Sequence, residues 1–291
     1  MNEAQVIREI ARRWPAIGDD CAVLPGKDGG HQLFASDMLI QGVHFTRKDP
    51  AEKIGWKAIA VNVSDVAAMG GIPTAAVISV GLPRSTTIAF VRRLYRGINR
   101  CAERFGLEVV GGDTVRSAQC VVNVGILGIV KRGHLVRRSG ARSGDQLLVT
   151  GRLGGAVRSG GHLSFTPRLK EAQMLVRQVK LHAMMDLSDG LLLDLPRLCR
   201  ASGVDAAVEV DRIPCRKGVA WHRAVAEGED FELLMALPKR EADRLLGWAP
   251  GRLRCGLHRI GQVTGKGKGT VRYLDETGRL RSPLQKGFSH F

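Results

Sequence analysis

The chain has 291 residues, of which 44% are apolar, 25% are charged and 36 are glycine. At roughly 150 residues per domain this is about two domains with real cores, which excludes wholesale disorder; the glycines follow no three-residue period, which excludes a collagen-like chain. Forty-four Lys and Arg against 28 Asp and Glu leave a net charge of +16, a balance that favours anionic partners: nucleic acid, an acidic membrane surface or phosphorylated small molecules.

Strand-like and helix-like segments alternate along the chain. Residues 56–69 and 87–105 carry helical spacing, the second with Phe90, Leu94, Ile98 and Ala102 recurring at four and Gly106 as a stop. Residues 75–80, 107–110, 121–130 and 147–150 are short, β-branched and bounded by glycine, which predicts strands. The polar, glycine-punctuated stretch 137–145 predicts a domain boundary. Beyond it the spacing predicts a helix over 167–180 and strands over 206–210, 232–237, 260–263 and 271–274. Gly265-Lys266-Gly267-Lys268-Gly269 is expected to be a flexible hairpin tip rather than a phosphate loop. The pattern is that of an α/β or α+β protein.

No apolar run approaches the roughly 18 residues of a membrane helix, and the first residues are charged and amphipathic, with no hydrophobic signal core. Cys21, Cys101, Cys120, Cys199, Cys215 and Cys255 are scattered, without the close spacing of a zinc or redox motif. They read as buried small hydrophobes in a reducing compartment, so a soluble cytoplasmic protein is expected.

In so basic a chain the informative residues are acids in apolar or glycine-rich surroundings. These are Asp19 and Asp20 after Gly18, Asp37 after Ser36, Asp65 inside an apolar helical run, Asp113 after Gly111-Gly112, and Asp186 and Asp189 in Asp186-Leu187-Ser188-Asp189-Gly190. Singly, such aspartates serve as helix N-caps and turn residues. Asp65 resists that reading, because a carboxylate buried inside a helix requires a cation or a metal. Two carboxylates about 4 Å apart repel by roughly 4 kcal/mol at an effective dielectric near 20, so gathering several calls for divalent metal. Aspartates without a His/Cys set suit Mg²⁺ shared with substrate phosphates, and the neighbouring glycines allow close approach of backbone amides to phosphate. Phosphoryl transfer is the chemistry these residues point to. Neither a Gly-x-x-x-x-Gly-Lys-Ser/Thr loop nor a His-Arg-Asp set is present.

The blocks around these acids run in order along nearly the whole chain. They are 17–24, 36–45, 57–70, Gly111-Gly112-Asp113-Thr114, Arg138-Ser139-Gly140-Ala141, 186–191, Gly228-Glu229-Asp230-Phe231-Glu232-Leu233 and Gly287-Phe288-Ser289-His290-Phe291. With them the chain resembles the thiamine-monophosphate kinases, within the aminoimidazole-ribonucleotide-synthetase-like superfamily. The resemblance implies an N-terminal α/β domain (1–138) that binds ATP and magnesium and whose sheet pairs with a second subunit's into a dimeric barrel. An α+β C-terminal domain (139–291) is implied to complete the active site. The implied reaction moves the ATP γ-phosphoryl to thiamine monophosphate in a homodimer. Carried over by position, Asp20, Ser36, Asp37, Asp65, Asp113, Asp186 and Asp189 are implied magnesium ligands. Gly112, Asp113, Arg138 and Ser188 are implied ATP contacts, and His44, Glu229 and Phe288 implied acceptor contacts. Asp65, Asp113 and Arg138 are implied to carry the catalysis. Without the resemblance, His44 reads better as a packed or capping residue and Phe288 as a core aromatic than as acceptor contacts.

Several positions depart from the family pattern on the acceptor side. The segment 152–166 is short, Phe231 replaces a tyrosine, and Glu227 stands where a first glycine usually precedes Gly228; a glutamate there is expected to strain the backbone if φ is positive. Two alternatives follow: a superfamily relative using ATP on another acceptor, and a non-catalytic nucleic-acid-binding protein. The dispersed arginines and an aromatic content of only 5% argue against the second.

Overall fold

The apolar run at 121–130 becomes the central strand of a five-stranded sheet. In this computed structural model, which describes residues 3–14 and 17–284, the chain divides into two units. One comprises Cys21–Leu135 and Gly160–Leu169; the other comprises the residues up to Asp20, Val136–Ser159 and those from Lys170 onward.

After an N-terminal helix α1 (Glu3–Ala11), the first unit contains β1 (Ala22–Pro25), β2 (His31–Ile40), α2 (Ala51–Ala68), β3 (Ile72–Leu82), α3 (Ile88–Phe105), β4 (Glu108–Arg116) and β5 (Val121–Val130). The sheet order is β1-β2-β5-β3-β4. β3 and β4 are parallel, so they need a crossover, and α3 is that crossover; the other pairs are antiparallel. α3 begins where predicted, with the Thr87 hydroxyl accepting from the Phe90 amide, and ends on Gly106 in the left-handed region at φ 67°. α2 is buried along nearly its whole length, with Lys57, Asn62 and Asp65 set among apolar residues. It packs on α3 so closely that a Cβ on Gly97 would lie 1.8 Å from the Glu52 carbonyl oxygen.

Alternation along the strands sorts this sheet into two faces. Leu33, Ala35, Leu39, Val122, Val124 and Ile126 lie on the buried face. The opposite face carries Phe34, Met38, Val77, Leu127 and Ile129, each 42–52% exposed. β1 and β4 are edges, so the sheet is open within a single chain rather than closed into a barrel.

The second unit is built on β6 (Gln146–Thr150), α4 (Leu169–Gln178), β7 (Ala183–Asp186), α5 (Leu191–Ser202), β8 (Val204–Glu209), α6 (Trp221–Ala226), β9 (Leu233–Leu237), α7 (Lys239–Trp248), β10 (Leu257–Lys266), β11 (Val271–Leu274) and β12 (Leu280–Arg281). The sheet order is β12-β11-β8-β10-β6-β9-β7, with β8 and β11 parallel. The 265–269 stretch is not a hairpin tip, because β8 lies between β10 and β11. It is a crossover bound to the start of β8: the Gly267 and Gly269 amides donate to the Gly203 and Val204 carbonyls, and the Asp205 carboxylate accepts from the Gly269 and Thr270 amides. Local composition marks the turn, but only the pairing of β8 with both strands sets its form.

The core of this unit includes Leu147, Val149, Leu195, Val208, Leu234, Ile260 and Tyr273. Tyr273 stacks on Trp221 with ring centroids 6.0 Å apart, and its buried hydroxyl has no hydrogen-bond partner among the described residues. An unmatched buried hydroxyl costs stability, so Tyr273→Phe is expected to stabilise by about 1 kcal/mol, raising the melting temperature by about 2–4 °C. A fall in melting temperature would show that the hydroxyl is partnered. Burial pushes the Cys101 and Cys199 thiols up to about 12, which leaves them protonated and inert at neutral pH.

Candidate active site

In the unit built on β6–β12, three chain segments lock together. Asp186 ends β7, and the turn that follows, 187–190, is zipped by its backbone to 229–232. The Glu229 amide donates to the Ser188 carbonyl (2.6 Å), the Phe231 amide to Leu187 (2.8 Å) and the Leu187 amide to Glu232 (2.8 Å). The second segment is in turn tied to the glycine turn after β6. The Thr150 hydroxyl donates to Glu232 (2.7 Å), the Gly154 amide to Asp230 (2.8 Å) and the Gly155 amide to Glu227. Arg216 pairs with Asp230, and burial still pushes the Asp230 carboxyl up to about 6.

Glu227 has φ −80°, so the strain expected of it is absent; the carboxylate is used instead, by the Gly155 amide and by Arg223. The left-handed backbone falls two and four residues later, on Glu229 (φ 68°) and Phe231 (φ 50°). Non-glycine residues held there store strain, a feature that concentrates at functional sites. Ser188 and Glu229 are thus brought side by side. Phe288 lies outside the described residues.

Asp20 and Asp186 offer carboxylate oxygens within 4.8 Å of each other. The Arg138 guanidinium donates to one Asp20 oxygen at 2.5 Å, and its amide donates to Asp19 at 3.0 Å. Burial raises the Asp20 carboxyl against the pull of Arg138. The second Asp20 oxygen is buried and has no hydrogen-bond partner among the described residues. Asp189 accepts from Arg197, which also pairs with the fully buried Asp194.

In the unit built on β1–β5, the Asp37 amide donates to the Asn62 side chain at 3.1 Å, and Asn62 lies one turn before Asp65 on the same face of α2. Asp65 is half-buried within the otherwise buried stretch 54–68 of α2. Alternation separates Ser36 from Asp37. Asp37 pairs in register with buried Val124 on the covered face, whereas the Ser36 hydroxyl meets the Asn123 side chain (3.2 Å) on the open face. The register also sets Asp113 beside Ser79, in the row of Asn123 and Met38 on that open face. Gly112 has a structural requirement of its own: a Cβ there would lie 1.8 Å from the Ile78 carbonyl oxygen, so the β3–β4 pairing needs glycine. His44 caps its own loop, its Nδ1 accepting from the Ile40 amide (3.0 Å), while its carbonyl accepts from the buried Lys57 ammonium (3.0 Å). With Nδ1 an acceptor, the neutral imidazole carries its proton on Nε2, a donor.

Residues 18–130 match the N-terminal domain of AIR synthase related proteins, and residues 119–274 match their C-terminal domain. The thiamine-monophosphate kinase of Synechococcus elongatus is 33% identical across 94% of this chain and 91% of its own length. That of Aquifex aeolicus is 33% identical across 94% and 92%. The chain belongs to the thiamine-monophosphate kinase family. The solved structure of AaThiL complexed with AMPPCP and TMP matches it with a TM-score of 0.87 at 31% identity, covering 100% of this chain and 97% of that one. No helix among the described residues of this family member is long and apolar enough to cross a membrane. Asn62, Asp194 and Arg197, which hold candidate ligands of this kinase in place, carry no local mark of that role in the sequence. The one available hint was spacing, three residues for Asn62 to Asp65 and five for Asp189 to Asp194.

Proposed function

We propose that this chain transfers the γ-phosphoryl group of ATP to thiamine monophosphate, giving thiamine diphosphate and ADP, as a magnesium-dependent cytoplasmic homodimer. The observation that carries the reading is the end-to-end likeness, in sequence and fold, to thiamine-monophosphate kinases, one of them solved with an ATP analogue and TMP.

The donor set fits magnesium. Asp20 and Asp186 are hard oxygen donors close enough to share one ion, and the orphaned, buried Asp20 oxygen is what a cation would satisfy. Asp20, Asp37, Asp65, Asp186 and Asp189, with Ser36 and Asp113, form the candidate ligand set. Bound magnesium would neutralise charge on the polyphosphate and on the developing transition state.

The chain's own residues do the rest. Gly112, Asp113, Arg138 and Ser188 are assigned to the nucleotide, with Arg138 a permanent cation whose orientation Asp19 and Asp20 fix. His44, through its Nε2 donor, and Glu229, held by its strained backbone, are assigned to the acceptor, together with Phe288. Asp65, Asp113 and Arg138 remain the residues on which catalysis depends. The acceptor is a phosphate monoester with a second pKa of about 6, largely ionised at neutral pH, so no strong general base is required. The barrier is repulsion between two phosphates, and direct in-line transfer without a phosphoenzyme follows. A second copy covering the open sheet face would bring Ser36 and Asp113 into an enclosed site, which favours the dimeric barrel.

The test is incubation with Mg-ATP and thiamine monophosphate, scored by mass spectrometry for thiamine diphosphate, with free thiamine as the negative acceptor. Asp65→Asn is expected to abolish turnover and keep the circular dichroism spectrum. No diphosphate from the unmodified chain ends the reading; near-normal activity of the variant removes Asp65 from the metal set.

A further inference from the structure

Arg197 reaches back from α5 to the turn that follows Asp186. One guanidinium nitrogen donates to Asp189 Oδ2 (2.5 Å) and to Asp194 Oδ1 (2.8 Å). The other Asp194 oxygen accepts from the Asp189 backbone amide (3.0 Å), and the Asp194 amide donates to the Gly190 carbonyl (3.0 Å). Asp189 is therefore held twice, by its side chain through Arg197 and by its backbone through Asp194. Asp194 is completely buried and Arg197 three-quarters buried, so the pair is screened from water and has one geometry. Breaking a buried pair of this kind leaves a charge uncompensated, which makes the arrangement stiff.

We infer that Arg197 and Asp194 are a positioning pair that fixes Asp189 and the 186–190 turn in the orientation a divalent cation requires. The inference rests on the metal reading above and deepens it, because it names residues outside the ligand set that set the cation affinity. Side chains that orient ligands from behind contribute about 10–100-fold to metal affinity, and Arg197 bridges Asp189 of this turn to the buried Asp194 of α5.

The experiment is a titration of the full chain with Mn²⁺, a magnesium surrogate, read by electron paramagnetic resonance of the free ion. Arg197→Gln is expected to weaken Mn²⁺ binding about 10–100-fold, with Arg197→Lys recovering part of the loss through its single-point charge. Asp194→Asn keeps the acceptor for the Asp189 amide and the shape of the site, and reads the same effect, more weakly, should the Arg197→Gln protein fail to fold. Unchanged or tighter Mn²⁺ binding in both folded variants overturns the inference, the tighter case meaning that Arg197 competes with the metal for Asp189. Mn²⁺ binding absent from the unmodified chain overturns the metal site, and the inference with it; normal binding there without thiamine diphosphate formation overturns only the acceptor assignment.

Discussion

Replacing Asp186 by Asn is expected to lower turnover by about 10³-fold, the scale of losing one preorganised electrostatic stabiliser, while the metal-free protein becomes no less stable. The two effects have one cause. Asp186 and Asp20 are both buried and offer oxygens within 4.8 Å, a separation at which two carboxylates repel by about 3 kcal/mol at an effective dielectric near 20. Without a cation that repulsion is uncompensated, and it adds to the cost of burial, which together with the neighbouring Asp19 raises the Asp20 carboxyl against the pull of Arg138. Asparagine keeps the shape and removes the charge. The metal-free melting temperature should therefore hold or rise by a few degrees, at about 2–4 °C per kcal/mol. In the unmodified chain Mg²⁺ should raise the melting temperature by mass action, and in the variant that increment should disappear. A variant that melts lower without metal and still gains the full Mg²⁺ increment would show that Asp186 is a structural acid and that the cation sits elsewhere.

The second large effect concerns the open face of the five-stranded sheet. Phe34 and Leu127 are directly paired across β2 and β5, and with Met38, Val77 and Ile129 they form an apolar face 42–52% exposed in one chain. A contiguous face of large apolar side chains on a sheet is the signature of an interface. The unmodified chain is expected to elute as a dimer in size-exclusion chromatography with light scattering. The double variant Phe34→Asp, Leu127→Asp should elute as a monomer at the same concentration. Each large apolar side chain buried is worth about 1.5–3 kcal/mol, and each buried carboxylate costs more than is lost with it. Dimer affinity should fall by about 10³-fold or more, since about 4 kcal/mol is that factor. Because Ser36 and Asp113 sit on the same face, loss of the dimer should lower activity, whereas the circular dichroism spectrum should not change. A double variant that remains dimeric would place the interface elsewhere.

Much of this protein was legible from local signals. The 87–105 helix was readable to within a residue because its cap, its apolar spacing and its glycine stop are all local, and each acts within one turn. β5 was readable end to end because of its β-branched run, and β11 because a short strand-forming segment lies between Gly269 and Asp275. The acids were legible as a group, since Asp20, Asp37, Asp65, Asp113 and Asp186 stand out by chemistry against a basic chain.

What was misread was set by partners distant in sequence. The 265–269 stretch has the composition of a hairpin tip, but β8 intrudes between the strands it joins, and strand order depends on the whole sheet. Glu227 was expected to be strained; the glycine turn after β6 gives its carboxylate a backbone amide, and the positive φ moves to Glu229 and Phe231. The division of Ser36 from Asp37 follows from strand period, yet which face is covered depends on where α2 packs.

The chemistry available to this protein, hard oxygen donors, glycines and cations in an ordered series, is written in the amino-acid order, because it is a property of the side chains themselves. Which donors meet is settled by folding. Asp20 joins Asp186, Asn62 braces Asp37, and Arg197 holds Asp189, because electrostatic and hydrogen-bond energies fall off over a few ångströms in space and are blind to distance along the chain.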